Sequence, residues 1–215
     1  MKITPVKTPL LAKKMFPNYI WDIPSASKTL YLTFDDGPTP DITNWTLDVL
    51  DQYNAKATFF CVGKNVKLHP EIFKRIIDND HTIGNHSYNH IKGWRTSTKN
   101  YLANISKAQK TIDSQIANHP SEFKYLFRPP YGQIRPKQGK ALIELGYQIV
   151  MWNVLSFDWN NEISPENCLE NVLSSAQNGS IIVFHDSLKA QVNMTHALPK
   201  VLEHFSNKGY NFKSI

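Results

Sequence analysis

Adjacent carboxylates repel unless a cation stands nearby, and this chain sets two of them, Asp35 and Asp36, between an apolar run and the turn residues Gly37-Pro38. Taken alone the pair reads as a turn with two solvated acids. Magnesium-dependent phosphoryl and prenyl transferases also use paired acids, but they need a second acidic cluster, and no other acidic pair in the chain resembles one. Further on, His86-Ser87-Tyr88-Asn89-His90 places two imidazoles four residues apart. That spacing predicts both side chains on one face of a helical turn, an arrangement that grips a transition metal. Chance also produces such a pair in a chain with eight histidines, and Ser87 stands where a zincin protease needs glutamate. Joined to the acids, the histidines supply a two-His, one-carboxylate ligand set, which leaves coordination positions open for water and substrate.

Three more clusters carry polar chemistry. Arg128-Pro129-Pro130-Tyr131-Gly132 is a rigid turn with a guanidinium at its entry. It reads either as a plain strand breaker or as a device that pairs Arg128 with a carboxylate and aims a backbone N–H into a site. Phe157-Asp158-Trp159 and Phe184-His185-Asp186 are weak signals singly, since a lone His after a strand is more often structural. Both lie where strands are expected to end, so an Asp–His pair could form between them.

From Thr29 onward, strand-like and helix-like segments alternate. The expected strands are Thr29–Phe34, Ala57–Val62, His81–Gly84, Tyr125–Phe127, Tyr147–Val154, Ser180–Phe184 and Tyr210–Phe212. Between them, apolar residues recur at helical spacing: Ile42, Trp45, Val49, Leu50 and Tyr53; then Ile72, Phe73, Ile76 and Ile77; then Leu102, Ile105, Ile112 and Ile116. Further helices are expected at Pro136–Leu145, stopped by Gly146, from Ser164-Pro165 to Asn178-Gly179, and around Leu198–Phe205. Thr39-Pro40 reads as a helix start. Such alternation implies an α/β fold with a mainly parallel sheet and helices outside. A single-domain, distorted (β/α) barrel of about six to seven strands suits it better than a three-layer sandwich. Residues 29–215 form the domain, and 1–28, Pro-rich with scattered aromatics, form an extension wrapped around it. In either architecture functional groups gather at the C-terminal ends of strands, which is where every polar cluster falls.

Bulk properties narrow the class. The chain has 215 residues, 41% of them apolar, enough for a sizeable core. Its formal net charge of +6 is spread along the sequence with no run of five like charges, so no nucleic-acid stripe is present. The cysteines, Cys61 and Cys168, have neither disulfide nor thiolate-metal spacing. Leu10-Leu11-Ala12 runs at once into Lys13-Lys14, too short for a signal peptide, and no stretch approaches a transmembrane span. A soluble cytoplasmic protein is expected, or a secreted one if the N-terminus has been trimmed.

Taken in order, Thr33-Phe34-Asp35-Asp36-Gly37-Pro38, His86-x-x-x-His90, Arg128-Pro129-Pro130-Tyr131-Gly132, Asp158-Trp159 and Val183-Phe184-His185 resemble the five motifs of NodB-type polysaccharide deacetylases, carbohydrate esterase family four. Ala57–Phe60 and Ile83–His86 are similar to the family's connecting segments, so the likeness spans Thr29 to Asp186. Leu155 departs from it, standing where many members carry a further Asp that braces the fourth motif. Val183 replaces a common leucine, which makes a smaller apolar wall for an acetyl methyl.

The resemblance implies hydrolysis of N-acetyl groups on N-acetylglucosamine-type residues of a polymer or oligosaccharide such as chitin or peptidoglycan. It implies a divalent ion, zinc with cobalt as the alternative, held by Asp36, His86 and His90. Asp35 becomes the general base, oriented by Arg128, and the Tyr131 N–H faces the oxyanion. His185 becomes the acid for the leaving amine, with Asp158 holding its ring, while Tyr131, Trp159 and Val183 contact the sugar and its acetyl group. An O-acetyl esterase on xylan needs the same apparatus. A sugar-binding protein without catalysis is the third reading, marked by loss of a ligand, and all three ligands are present.

Overall fold

The computed structural model describes residues 5–116 and 125–215, so the first four residues of the expected extension lie outside it. All seven residues of β1 (Thr29–Asp35) are buried, as expected for a parallel strand covered on both faces. It pairs in parallel with β2 (Ala57–Cys61) and with β7 (Ile181–His185). Beyond β2 lie β3 (Thr82–Asn85), β4 (Leu126–Phe127) and β5 (Gln148–Ile149), and beyond β7 lies β6 (Val154–Leu155), giving the order β5-β4-β3-β2-β1-β7-β6. The short β8 (Asn211–Phe212) joins the start of β1. All these pairings are parallel, and the sheet curls into the open barrel expected of the alternating pattern.

Side chains alternate across a strand, and β1 uses this to separate structure from chemistry. Leu30, Leu32 and Phe34 point into the main apolar core, which α2 (Ile42–Gln52), α4 (Pro70–Asp78) and α8 (Gln191–Asn207) line through Leu47, Phe73 and Leu198. Tyr31 belongs instead to an inner cluster with Phe60 and Ile181. Thr33 and Asp35 share its face, so β1 carries a hydroxyl and a carboxyl into the barrel interior. The longest helix, α5 (Thr98–Ile116), packs through Tyr101, Ile105, Ala108 and Ile112, while α6 (Pro136–Glu144) and α7 (Pro165–Ser175) complete the outer layer. Among the described residues no helix is long and apolar enough to cross a membrane.

The expected single strand Tyr147–Val154 is split between the two edges of the sheet. Its middle carbonyls are taken by side chains and by the N-terminal segment instead of a neighbouring strand. Arg128 donates to the carbonyls of Val150 and Met151, and Thr8 bonds Trp152 and Asn153. Ile20 bonds Ile149 and Met151 beside β5, and Val6 accepts from Leu155 on β6, so both edges are covered by the same segment.

Other boundaries also shift. Two short helices, α1 (Leu10–Met15) and α3 (Gly63–Leu68), lack the length for a readable apolar period. The first outer helix starts at Ile42, not at Thr39-Pro40, since Asp41 sits at φ 63° outside the helix. The helix expected to reach Asn178-Gly179 stops at Ser175, though Ser164 caps its start by accepting from Asn167 N–H.

Candidate active site

The interior of the barrel is filled by a guanidinium. Arg128, at the end of β4, is fully buried, and its Cζ stacks 4.1 Å from the Phe60 ring. Its Nη1 donates to Asp35 Oδ1 at 2.7 Å and to Thr33 Oγ1 at 2.7 Å. Nε and Nη2 reach the Val150 and Met151 carbonyls at 3.2 and 2.9 Å. A buried carboxylate needs such a partner, and Arg128 is itself anchored on the backbone carbonyls of Val150 and Met151.

By strand alternation Asp36 would face away from the cavity that Asp35 lines, but its backbone adopts φ 84°. This carries its carboxylate to the histidines that follow β3. His86 and His90 do not share a helical turn as their spacing suggested. They sit on a loop bent by Ser87 at φ 62° and His90 at φ 53°, and the bend brings the rings together with centroids 5.0 Å apart. Ligand atoms of Asp36, His86 and His90 all lie within 4.8 Å of one another.

The donor set fits a divalent cation. Asp36 Oδ1 is buried and unsatisfied by geometric criteria, with His90 Nε2 3.1 Å away as its nearest imidazole nitrogen. His86 Nδ1 lies 2.8 Å from the Arg128 carbonyl, so it carries the proton and leaves the Nε2 lone pair facing Asp36. Burial lowers the His86 pKa to about 4, keeping the ring neutral as a ligand must be. For Asp36 burial acts to raise the pKa, but the imidazoles of His90, His185 and His86 outweigh it and hold the carboxyl well below the usual range.

Across the cavity, His185 ends β7 and Asp158 follows β6. Asp158 is fully buried and accepts twice from His185, from Nδ1 at 2.9 Å and from the backbone N–H at 2.6 Å. Burial pulls the His185 pKa down, yet the charge and hydrogen bond of Asp158, with Asp36 and Asp35 beyond, carry it up to about 9. The ring is therefore an imidazolium at neutral pH, with Nε2 free to donate. Asn193 on α8 steadies this loop by donating to the carbonyls of Asp158 and Asn160.

Between the two halves lies a cavity of about 440 Å³. Trp152, Leu155 and Val183 give it an apolar wall, and Leu155 and Val183 are neighbours in the β6–β7 pairing. Leu155 therefore does not brace the fourth motif. Its place is beside Val183, and Ser156, Asn193 and the His185 backbone brace the loop instead. Tyr131, exposed and 4.5 Å from the His90 ring, flanks one side of the cavity, and Trp159, 4.7 Å from His185, flanks the other.

The family model for polysaccharide deacetylases matches residues 22–150, more than half of the chain. The chain belongs to that family. This polysaccharide deacetylase is 34% identical over 210 residues to a Bacillus cereus peptidoglycan-N-acetylglucosamine deacetylase, covering 96% of each chain. The crystal structure of the Bc1960 peptidoglycan N-acetylglucosamine deacetylase superposes with a TM-score of 0.86 at 32% identity, covering 97% of this chain and 95% of that one. The Xyl-CE4 domain of a multidomain xylanase from the hindgut metagenome of Trinervitermes trinervoides superposes at 0.78 with 30% identity, covering 88% of each. The protein is thus a hydrolase of the polysaccharide deacetylase class.

In this deacetylase Asp35, Asp36, His86, His90, Tyr131, Trp159, Val183 and His185, singled out from sequence, line one cavity. Arg128 and Asp158 stand directly behind Asp35 and His185. Sequence reasoning did not give roles to Trp152 and Lys189, which also line the cavity, or to Asn65 and Asp186, which touch the β1 turn. Asp186 is adjacent to His185, but its partners Gly37 and Thr43 are 149 and 143 residues away in sequence, so no local signal reveals them.

Proposed function

We propose that the enzyme removes N-acetyl groups from N-acetylglucosamine-type residues of peptidoglycan with a divalent ion, zinc first, held by Asp36, His86 and His90. The observation that carries this reading is the division of one cavity. A three-residue ligand cluster and the Asp35–Arg128 pair lie on one side, and the His185–Asp158 pair lies on the other. When bound, the ion supplies Lewis acidity toward the acetamide carbonyl and lowers the pKa of water. Asp35 takes the proton of the attacking water, and Arg128 fixes the carboxylate that receives it. The Tyr131 backbone N–H faces the developing oxyanion. His185 gives its Nε2 proton to the departing amine, which leaves poorly as an anion, and Asp158, bonded at Nδ1, holds the ring and favours its protonated form. Val183 and Leu155 face the acetyl methyl, while Tyr131 and Trp159 present flat faces to the sugar.

The likeness to the B. cereus peptidoglycan deacetylases supports the choice of polymer. A second reading, an O-acetyl esterase on xylan, draws on the xylanase-associated neighbour. A non-catalytic sugar-binding protein fits less well, since ligands, base and acid are all in place. The test is acetate release by the purified enzyme, with and without chelator, from peptidoglycan, chitooligosaccharides and acetylxylan. Metal-dependent release from peptidoglycan is expected, and release from acetylxylan alone would transfer the assignment to the esterase.

A further inference from the structure

The peptide group that follows Asp36 is held at both of its polar ends by side chains from elsewhere in the fold. Its carbonyl, on Asp36, accepts from Asn65 Nδ2 at 2.8 Å. Its N–H, on Gly37, donates to Asp186 Oδ1 at 3.0 Å. Asn65 belongs to α3, and Asp186 follows β7, so the two grips come from opposite sides of β1. Gly37 is further fixed by Val62 N–H, which bonds its carbonyl at 2.9 Å.

Each grip is built for this position. Asp186 is fully buried, and its second oxygen accepts from Thr43 Oγ1 at 2.5 Å, while its own N–H bonds the Asp35 carbonyl at 3.1 Å. A Cβ on Gly37 would meet Asp186 Oδ2 at 1.9 Å, so only glycine lets the Asp186 carboxyl group reach the N–H. The α3 segment carrying Asn65 is tied to the histidine loop, since Gly63 and Lys64 donate to the carbonyls of Ser87 and Tyr88. The structure that sets His86 and His90 therefore also sets Asn65.

The reason for this double hold is the backbone of Asp36. A non-glycine residue at φ 84° persists only where its surroundings over-determine it. With an ordinary negative φ, the Asp36 carboxylate would leave the histidines. We infer that Asn65 and Asp186 are positioning residues that clamp the Asp36–Gly37 peptide and so aim Asp36 at the metal. This rests on the metal site proposed above. Partners that orient a ligand typically contribute about 10–100-fold in metal affinity.

The experiment measures zinc dissociation constants by chelator competition for wild type, Asn65→Ala and Asp186→Ala, each also in an Asp36→Ala background, with thermal melting of the metal-free proteins. Asn65 is only partly buried, so Asn65→Ala keeps the test alive if the buried Asp186 variant fails to fold. Each single variant is expected to weaken binding by about 10–100-fold, with the metal-free Asn65→Ala melting close to wild type. In the Asp36→Ala background the same changes are expected to add no further loss, because they act through Asp36. Wild-type affinity in the variants, or equal losses with and without Asp36, would overturn the clamp while leaving the metal site standing. A wild-type chain that binds no zinc would remove both.

Discussion

The Nδ1 atom of His86 lies 2.8 Å from the carbonyl oxygen of Arg128. One residue thus serves both halves of the proposed water-activating side: its guanidinium holds Asp35, and its carbonyl fixes the tautomer of a proposed metal ligand. The proposed base and the proposed ligand cluster share one anchor at the end of β4, so the distance between them is set by the backbone.

That anchoring makes Arg128 a stability residue as well. Arg128→Met leaves Asp35 buried and unpaired, a change that costs about 3–5 kcal/mol. For a protein of this size the melting temperature should fall by roughly 6–20 °C. Adding Asp35→Asn removes the stranded charge and should recover part of the loss. Thermal melts of the two variants check this, and equal melting of the single and double variants would show that the pair is not the cause.

The paired acids should separate in function. Asp35→Asn removes the proposed base but no ligand, so metal content should stay near wild type while turnover collapses. Asp36→Ala removes a ligand and should lower metal content itself. Elemental analysis beside kcat distinguishes them, and matching metal content in both variants would contradict the division.

His185 should matter more for an amide than for an activated ester, because an amine must be protonated to leave. General acid catalysis contributes about 10²–10⁴-fold, so His185→Ala should cut kcat/KM for N-deacetylation by roughly that factor and slow an aryl acetate far less. The pKa of His185 is raised to about 9, so the proton-donating form is present below that pH and is lost as pH rises through it. A cation beside Asp36 opposes part of this rise, which places the alkaline fall in amide turnover at or below about 9. Asp158→Asn should move the fall to lower pH. Equal losses on both substrates, or an unmoved alkaline limb, would take the acid role from His185.

Much of this arrangement is legible in the sequence, for a physical reason. Parallel strands buried on both faces must be apolar, so Asp35, His86, Arg128 and His185 stand out where apolar runs end. The positions of the motifs could be read for that reason. What could not be read is backbone that departs from a regular period. The histidine pair meets through two left-handed residues in a loop, not through a helical turn. The stretch from Tyr147 to Val154 is apolar enough for one strand, but its middle carbonyls serve Arg128, more than twenty residues earlier. Asp186 and Asn65 carry ordinary polar side chains, and only the fold reveals that they hold opposite ends of one peptide group.

The most direct test is a metal titration of the stripped enzyme, reading acetate released from an N-acetylated peptidoglycan strand. The site predicts negligible release without metal, a rise that saturates at one zinc per chain, and no rise when His86→Ala and His90→Ala are combined in a protein that still folds. Full activity in the stripped enzyme, or a double variant that binds zinc and turns over like wild type, would contradict the assignment of Asp36, His86 and His90 as the metal site.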